Sequence, residues 1–287
     1  MIPLGAILGD IKLAHSVFAL PFAMVGLLLG TRGEPPAPRL LALVLLALVC
    51  ARSAAMAFNR LTDHRFDRSN PRTAGRALPS GRVSRGAMTA FTVVCSLGFL
   101  AAAAGLGRVC LLLAPVVLAV LFAYSLTKRV THWAHAFVGL ALALAPPAAY
   151  LAARGEVGPD VAAVLWLAAS VLLWVAGFDV LYACQDVEHD RAEGLHSLPA
   201  RWGVRRALAL ARLVHAGMVV TLAMALRAAR LGAPSWAALL LVAALLLVEH
   251  GLVARGRLDR VPMAFFTVNG VVGLLFGVLV CWDLLAP

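Results

Sequence analysis

The chain has 287 residues, 62% of them hydrophobic and only 14% charged, with a mean hydropathy of +0.90. A soluble domain carries about a quarter charged residues, so this composition excludes an ordinary soluble enzyme, a disordered chain and a disulfide scaffold. The net charge of +11, from 25 basic and 14 acidic residues, is read as Arg-rich cytoplasmic loops of a membrane protein, with no nucleic-acid partner.

A bilayer core takes about 20 mostly apolar residues per helix. Nine such runs are expected, at about 11–30, 39–58, 87–107, 109–127, 132–153, 160–182, 206–227, 235–253 and 264–284. The fold class is therefore an all-α integral membrane protein, nine transmembrane helices around a central cavity. Gly107 and Arg108 alone separate the third run from the fourth. The five cysteines form no C-x-x-C pair and read as buried thiols. With the N-terminus on one side, that side collects 19 of the 25 Lys and Arg residues, against 6 on the other. The lopsided split predicts a cytoplasmic N-terminus and, with nine spans, an outer C-terminus. The expected location is a bacterial-type inner (plasma) membrane.

Two cytoplasmic loops are long, roughly 59–86 and 183–205. The first opens on Asn59, Asp63 and Asp67, spaced by four, so a helix continuing from the second run stacks them on one face. The second repeats the spacing in Tyr182, Asp186 and Asp190, with Asp179 two turns earlier. Each stripe is followed by a glycine and then Leu-Pro: Gly75 with Leu78-Pro79, and Gly194 with Leu198-Pro199. The correspondence reads as a single domain, residues 1–287, built from a diverged four-helix duplication, about 11–128 and 132–253, plus a ninth helix.

Carboxylates at a membrane boundary are costly and mutually repelling, so they need cations. Hard oxygens without a His/Cys set suit Mg²⁺, which commonly bridges a few carboxylates to substrate phosphates. Four aspartates, two Mg²⁺ and a diphosphate leave roughly three uncompensated negative charges for basic side chains to meet. Arg72 and Arg76 follow the first stripe, and Lys128 and Arg129 end the fourth run, with Tyr124 four residues before Lys128. A magnesium-held diphosphate at the mouth of a lipid-embedded cavity fits an isoprenyl diphosphate, whose allylic cation would alkylate an electron-rich aromatic ring.

The motifs Asn59-x-x-x-Asp63-x-x-x-Asp67 with Asn70-Pro-Arg72-Thr, Tyr124-Ser-x-x-Lys128-Arg129 and Gly177-Phe-Asp-Val-Leu-Tyr182-x-x-x-Asp186-x-x-x-Asp190 resemble those of the UbiA family of intramembrane aromatic prenyltransferases. The resemblance begins at His15-Ser-Val-Phe and covers nearly the whole chain. It implies a nine-helix bundle, Mg²⁺ dependence and a cytoplasm-facing site. It also implies that Asn59, Asp63, Asp67, Asp186 and Asp190 hold diphosphate through Mg²⁺, with Arg72 and Lys128 touching it directly. Tyr124, Asp179, Tyr182, Arg76, Arg129 and His15 complete the candidate set. The stretches NPRTAGRALPSG and GFDVLYACQDVEHDRAEGLHSLPARWG look closest to members acting in quinone synthesis on 4-hydroxybenzoate. His15 stands where ubiquinone-branch members carry an arginine, which keeps a dihydroxynaphthoate of the menaquinone branch open as acceptor. Haem farnesylation and tetrapyrrole prenylation are relatives within the family.

From another class, intramembrane Asp and Arg also mark ion paths in transporters. Such proteins break helices near the midplane, whereas here the acidic groups gather at one mouth. The D-G-x-x-A-R lead-in of phosphatidyl-alcohol transferases is missing. The oligomeric state is left open by the sequence.

Overall fold

The computed structural model describes residues 4–11, 18–254 and 257–286, which among them form only helices and their connections. Thirteen α-helices run in order: α1 (Leu4–Asp10), α2 (Leu20–Gly30), α3 (Pro38–Ser69), α4 (Arg85–Leu106), α5 (Arg108–Thr127), α6 (Ala134–Ala143), α7 (Ala145–Arg154), α8 (Val161–Ala183), α9 (Val187–Ala192), α10 (Leu198–Trp202), α11 (Val204–Ala228), α12 (Ala233–Leu252) and α13 (Asn269–Leu285). Among the described residues, eight helical stretches are long and apolar enough to cross a membrane. They match the expected runs from the second to the ninth. Of the first expected run, residues 12–17 lie outside the described residues, and the remainder forms the eleven-residue α2.

The chain divides into two compact units. The first joins α1 to residues 41–126, which hold most of α3 with α4 and α5. At 32 residues, α3 is about 48 Å long, well beyond a hydrocarbon core of about 30 Å, so one end must project from the bilayer. Phe58 of α3 packs on Phe122 of α5 with ring centroids 4.5 Å apart. Ser84 caps α4 by accepting a 3.1 Å bond from the Ala87 N–H. Gly107 alone separates α4 from α5, at φ 129°, a conformation in which a side chain would be strained. A satellite core of Ile7, Ile11, Ala57, Ala77, Leu78, Val83, Met88 and Phe91 closes the end where α3 finishes.

The second unit comprises residues 17–40 and 127–287. Small residues let its helices approach closely: a β-carbon at Gly26 would collide with the Pro146 carbonyl, and one at Gly139 with that of Leu172. Trp174, Phe22 and Phe276 stack at its centre, Phe22 lying 5.1 Å from Trp174 and 5.0 Å from Phe276. The run expected at 132–153 is interrupted. Pro146 and Pro147 together remove two successive N–H donors from the helix ladder, and here α6 ends at Ala143 and α7 begins with the prolines in its first turn. The side chains immediately flanking the break are apolar. The last run contains a π-helical turn, Met263–Val268, before α13.

Large apolar side chains stay exposed along the spans, Leu112, Val116, Leu240, Leu247 and Val278 among them. Hydrocarbon, not water, is the medium that accommodates such a surface.

Candidate active site

In the first unit the stripe rides the far end of α3, which stays helical to Ser69. Asn59 Nδ2 donates to Asp63 Oδ2 at 2.8 Å, linking successive turns of one face. Arg60, only 5% exposed, donates to Asn59 Oδ1 at 3.0 Å and lies 3.8 Å from Asp67. The buried Asp67 receives Arg76, whose one terminal nitrogen donates to both carboxylate oxygens, at 2.7 and 2.8 Å. Thr73 anchors the segment from its side, donating to the Asp67 carbonyl at 2.9 Å. The loop then folds on Asn70, whose side-chain oxygen accepts the Arg72 N–H at 2.9 Å. This is a side-chain-mimicked turn and it leaves Arg72 exposed. Asp10 clamps the same loop by accepting the Ala77 N–H at 3.0 Å. Tyr124, on α5, reaches Met56 Sδ of α3 at 3.9 Å.

In the second unit the stripe does not continue one α-helix. α8 stops at Ala183, a 3-10 turn covers Cys184–Asp186, and α9 restarts at Val187. The four-residue spacing of Tyr182, Asp186 and Asp190 therefore does not give a straight α-helical row. A 3-10 residue turns about 120° rather than 100°, so the two aspartates are rotated relative to Tyr182. Tyr182 packs its ring 4.5 Å from Phe265 in the π-turn. Asp186 and Asp190 are buried, and Asp190 Oδ2 has no hydrogen-bond partner. Lys128 is half-buried, with its carbonyl accepting the His196 N–H at 2.7 Å, while Arg129 is exposed. Nearby, the His132 and His196 rings lie 4.7 Å apart. Burial, Arg201 and His196 together push the His132 pKa below its ordinary value near 6.5. Asp179 Oδ2 lies 2.7 Å from Nδ1 of the buried His135.

Each unit thus brings a pair of carboxylates to one helix end, with basic side chains beside it. Among the described residues no group of three His, Cys, Asp or Glu side chains converges as a metal site within reach of one ion. A pair plus a bound diphosphate is nevertheless the donor set Mg²⁺ prefers, since it keeps few protein ligands and takes substrate oxygens for the rest. The unpartnered Asp190 oxygen fits such a cation, because a buried carboxylate oxygen without a donor is unfavourable by itself. His15 lies outside the described residues. Two residues were not singled out by sequence. Arg60 carried a usable signal, sitting seven positions before Asp67 and hence two turns away on the same face. His135 carried none, because its partner is 44 residues distant.

Comparison with known proteins follows the same outline. A family model described as the UbiA prenyltransferase family matches residues 19–278. The chain is 32% identical over 266 residues to a protein of Alkalilimnicola ehrlichii named 4-hydroxybenzoate octaprenyltransferase, covering 88% of this chain and 84% of that one. It is 28% identical to a protein of the same name from Aliivibrio fischeri, covering 96% and 91%. Among solved structures, an apo UbiA homologue from Aeropyrum pernix K1 superposes with a TM-score of 0.86 at 34% identity, covering 94% of this chain and 98% of that one. A UbiA homologue from Archaeoglobus fulgidus, solved bound to GPP and Mg²⁺, shares the fold at a TM-score of 0.75 and 21% identity, covering 98% and 99%.

Proposed function

The chain belongs to the UbiA prenyltransferase family, and we propose that it transfers a polyprenyl group from a polyprenyl diphosphate to a hydroxylated aromatic acid of the 4-hydroxybenzoate type, in quinone (ubiquinone/menaquinone) biosynthesis. The names of the relatives from Alkalilimnicola ehrlichii and Aliivibrio fischeri support that acceptor class, and the Mg²⁺ and GPP of the Archaeoglobus fulgidus homologue support the metal and donor. The observation that carries the reading is the pair of aspartate stripes at the ends of α3 and α8, with the buried, unpartnered oxygen of Asp190.

On this reading Asn59, Asp63, Asp67, Asp186 and Asp190 hold Mg²⁺. The bound metal supplies positive charge to the leaving diphosphate as the carbon–oxygen bond breaks. Arg72 and Lys128 touch the diphosphate, and Arg76 and Arg129 add to the positive field. Tyr182 against Phe265 presents aromatic surface that excludes water from the allylic carbon, so the aromatic acceptor is alkylated in place of water. Tyr124 lies beside the same chemistry. The 19-to-6 split of basic residues supports a mouth at the cytoplasmic face of a bacterial-type inner membrane.

The test is mass spectrometry of products from membranes containing the protein, supplied with Mg²⁺, a polyprenyl diphosphate, 4-hydroxybenzoate and a dihydroxynaphthoate. Prenylated hydroxybenzoate is expected, and chelation of the metal should abolish it. A product from dihydroxynaphthoate alone would move the chain to the menaquinone branch. Absence of both products from well-folded protein would overturn the proposal.

A further inference from the structure

Asp179 is a carboxylate near the end of the apolar helix α8, close to the membrane boundary, where an ion is costly unless it is used. Its surroundings hold it in one direction. The Leu198 N–H, at the start of α10, points at His135 Nε2 at 3.4 Å, so Nε2 accepts and carries no proton. The proton of the imidazole is then on Nδ1, which donates to Asp179 Oδ2 at 2.7 Å. His135 itself is 1% exposed and cannot meet a substrate, whereas the Asp179 side chain keeps 21% of its surface accessible.

The same short segment serves a second residue. Two positions before Leu198, the His196 N–H holds the Lys128 carbonyl at 2.7 Å. The stretch from Gly194 to Pro199, which sequence singled out only as a repeat of the first loop's glycine and Leu-Pro, therefore ties together the lysine and the His135–Asp179 pair. Asp179 stands four α-helical residues and three 3-10 residues before Asp186. At 1.5 and 2.0 Å each, that is roughly 12 Å along the chain axis. The interval accommodates a metal-bound phosphoryl oxygen, the breaking carbon–oxygen bond and an aromatic ring.

We propose that Asp179 is the proton acceptor of the ring-substitution step, with His135 as the residue that positions it. The inference rests on the prenyl transfer proposed above. The prenyl C1–oxygen bond breaks with its electron pair going to diphosphate, and a ring carbon forms the new bond to C1. The ring carbon then gives its proton to the free oxygen of Asp179, and the C–H electron pair restores aromaticity. The resulting carboxylic acid returns its proton to water. No oxidant or further reactant is needed.

The experiment compares purified wild type, Asp179→Asn, His135→Leu and His135→Gln with unlabelled and ring-deuterated 4-hydroxybenzoate. In Asp179→Asn, kcat is expected to fall about 100-fold or more, with the KM for the prenyl diphosphate unchanged, which also reports that the variant is folded. A ring-deuterium isotope effect on kcat, small in the wild type, should emerge in Asp179→Asn because proton loss has become slow. His135→Leu should show the same effect at roughly 10-fold lower loss, and His135→Gln, which keeps an N–H donor, should recover most of the rate. An Asp179→Asn variant that raises the prenyl diphosphate KM and keeps kcat, or that loses rate with no isotope effect, overturns the assignment. Absence of transfer in the wild type is a different result: it overturns the proposed function and this step with it.

Discussion

Asp67 is held by two arginines, one of them 95% buried, and that arrangement sets what single substitutions should do. Removing a carboxylate from a stripe takes away a proposed metal ligand and leaves neighbouring cations without their counter-charge. Asp63→Ala and Asp186→Ala are each expected to reduce prenyl transfer by at least about 100-fold, comparable to the loss of a major electrostatic contact in other enzymes. Membrane insertion, followed by fractionation and detergent-extracted monodispersity, should be normal; full activity in either variant would refute the metal assignment. Lys128 is one of only two lysines in the chain, and an ammonium on a flexible stem is a point-charge contact for phosphate. Lys128→Ala should raise the KM for the prenyl diphosphate more than that for the aromatic acid, and the opposite pattern would place Lys128 with the acceptor. The stripe residues were legible because spacing by four on a helix is a local signal. Arg76 was legible as a nearby cation but not as the ligand of Asp67, since nine residues of loop separate them and no periodicity governs a loop.

At the scale of elements, spans were easier to foresee than their interruptions. Apolar length marks a span, but a turn of 3-10 or π geometry leaves the composition unchanged. The Cys184–Asp186 turn and the Met263–Val268 turn are both of this kind. The π-turn is held from within by a buried polar network. Asn269 Nδ2 donates to Glu249 Oε1 at 2.6 Å and to the Ala264 carbonyl at 3.1 Å, while Asn269 Oδ1 accepts the Trp174 Nε1–H at 2.7 Å. Asn269→Leu would take the Asn269 partner from a buried Glu249 oxygen and a buried Trp174 indole N–H, at about 1–3 kcal/mol each. A loss of several kcal/mol, read as a lowered melting temperature in detergent, is expected, together with reduced activity because Phe265 would no longer be fixed against Tyr182. The prolines of α7 were visible in sequence, yet their effect depends on where the neighbouring helix lets the chain bend. His132 gives a pH signature at this scale. Its lowered pKa means the folded protein favours neutral imidazole, so stability is full above the ordinary value near 6.5 and declines as pH falls through the lowered one. Melting curves of His132→Asn should show a shallower acid-side decline than the wild type.

For the whole molecule, the proposed function couples folding stability to ligand binding. Anything bound only to the native state stabilises it by mass action, about 2.7 kcal/mol at a hundredfold excess over Kd. Mg²⁺ with a non-hydrolysable prenyl diphosphate analogue should therefore raise the melting temperature of the wild type. Asp63→Ala and Asp186→Ala should each remove that rise, and the double variant should behave no worse than either single one. A full rise kept in either variant would argue against that residue's part in holding the ion. The all-helical membrane class was legible from composition alone, because 62% apolar residues leave no other medium. What composition could not reveal is the grouping of α2 with the later helices, which depends on glycine contacts such as Gly26 with Pro146 and Gly277 with Pro21.

The grip of Arg76 on Asp67 has a consequence for how the site fills. With one guanidinium nitrogen on both carboxylate oxygens, two of the roughly four lone-pair sites are taken and the charge is partly met, so on the proposed reading a divalent ion arrives at a mouth that is already partly neutralised. The protein thereby avoids a bare, self-repelling mouth between turnovers, and the ion alone, without its phosphate escort, should be a poor competitor for the place.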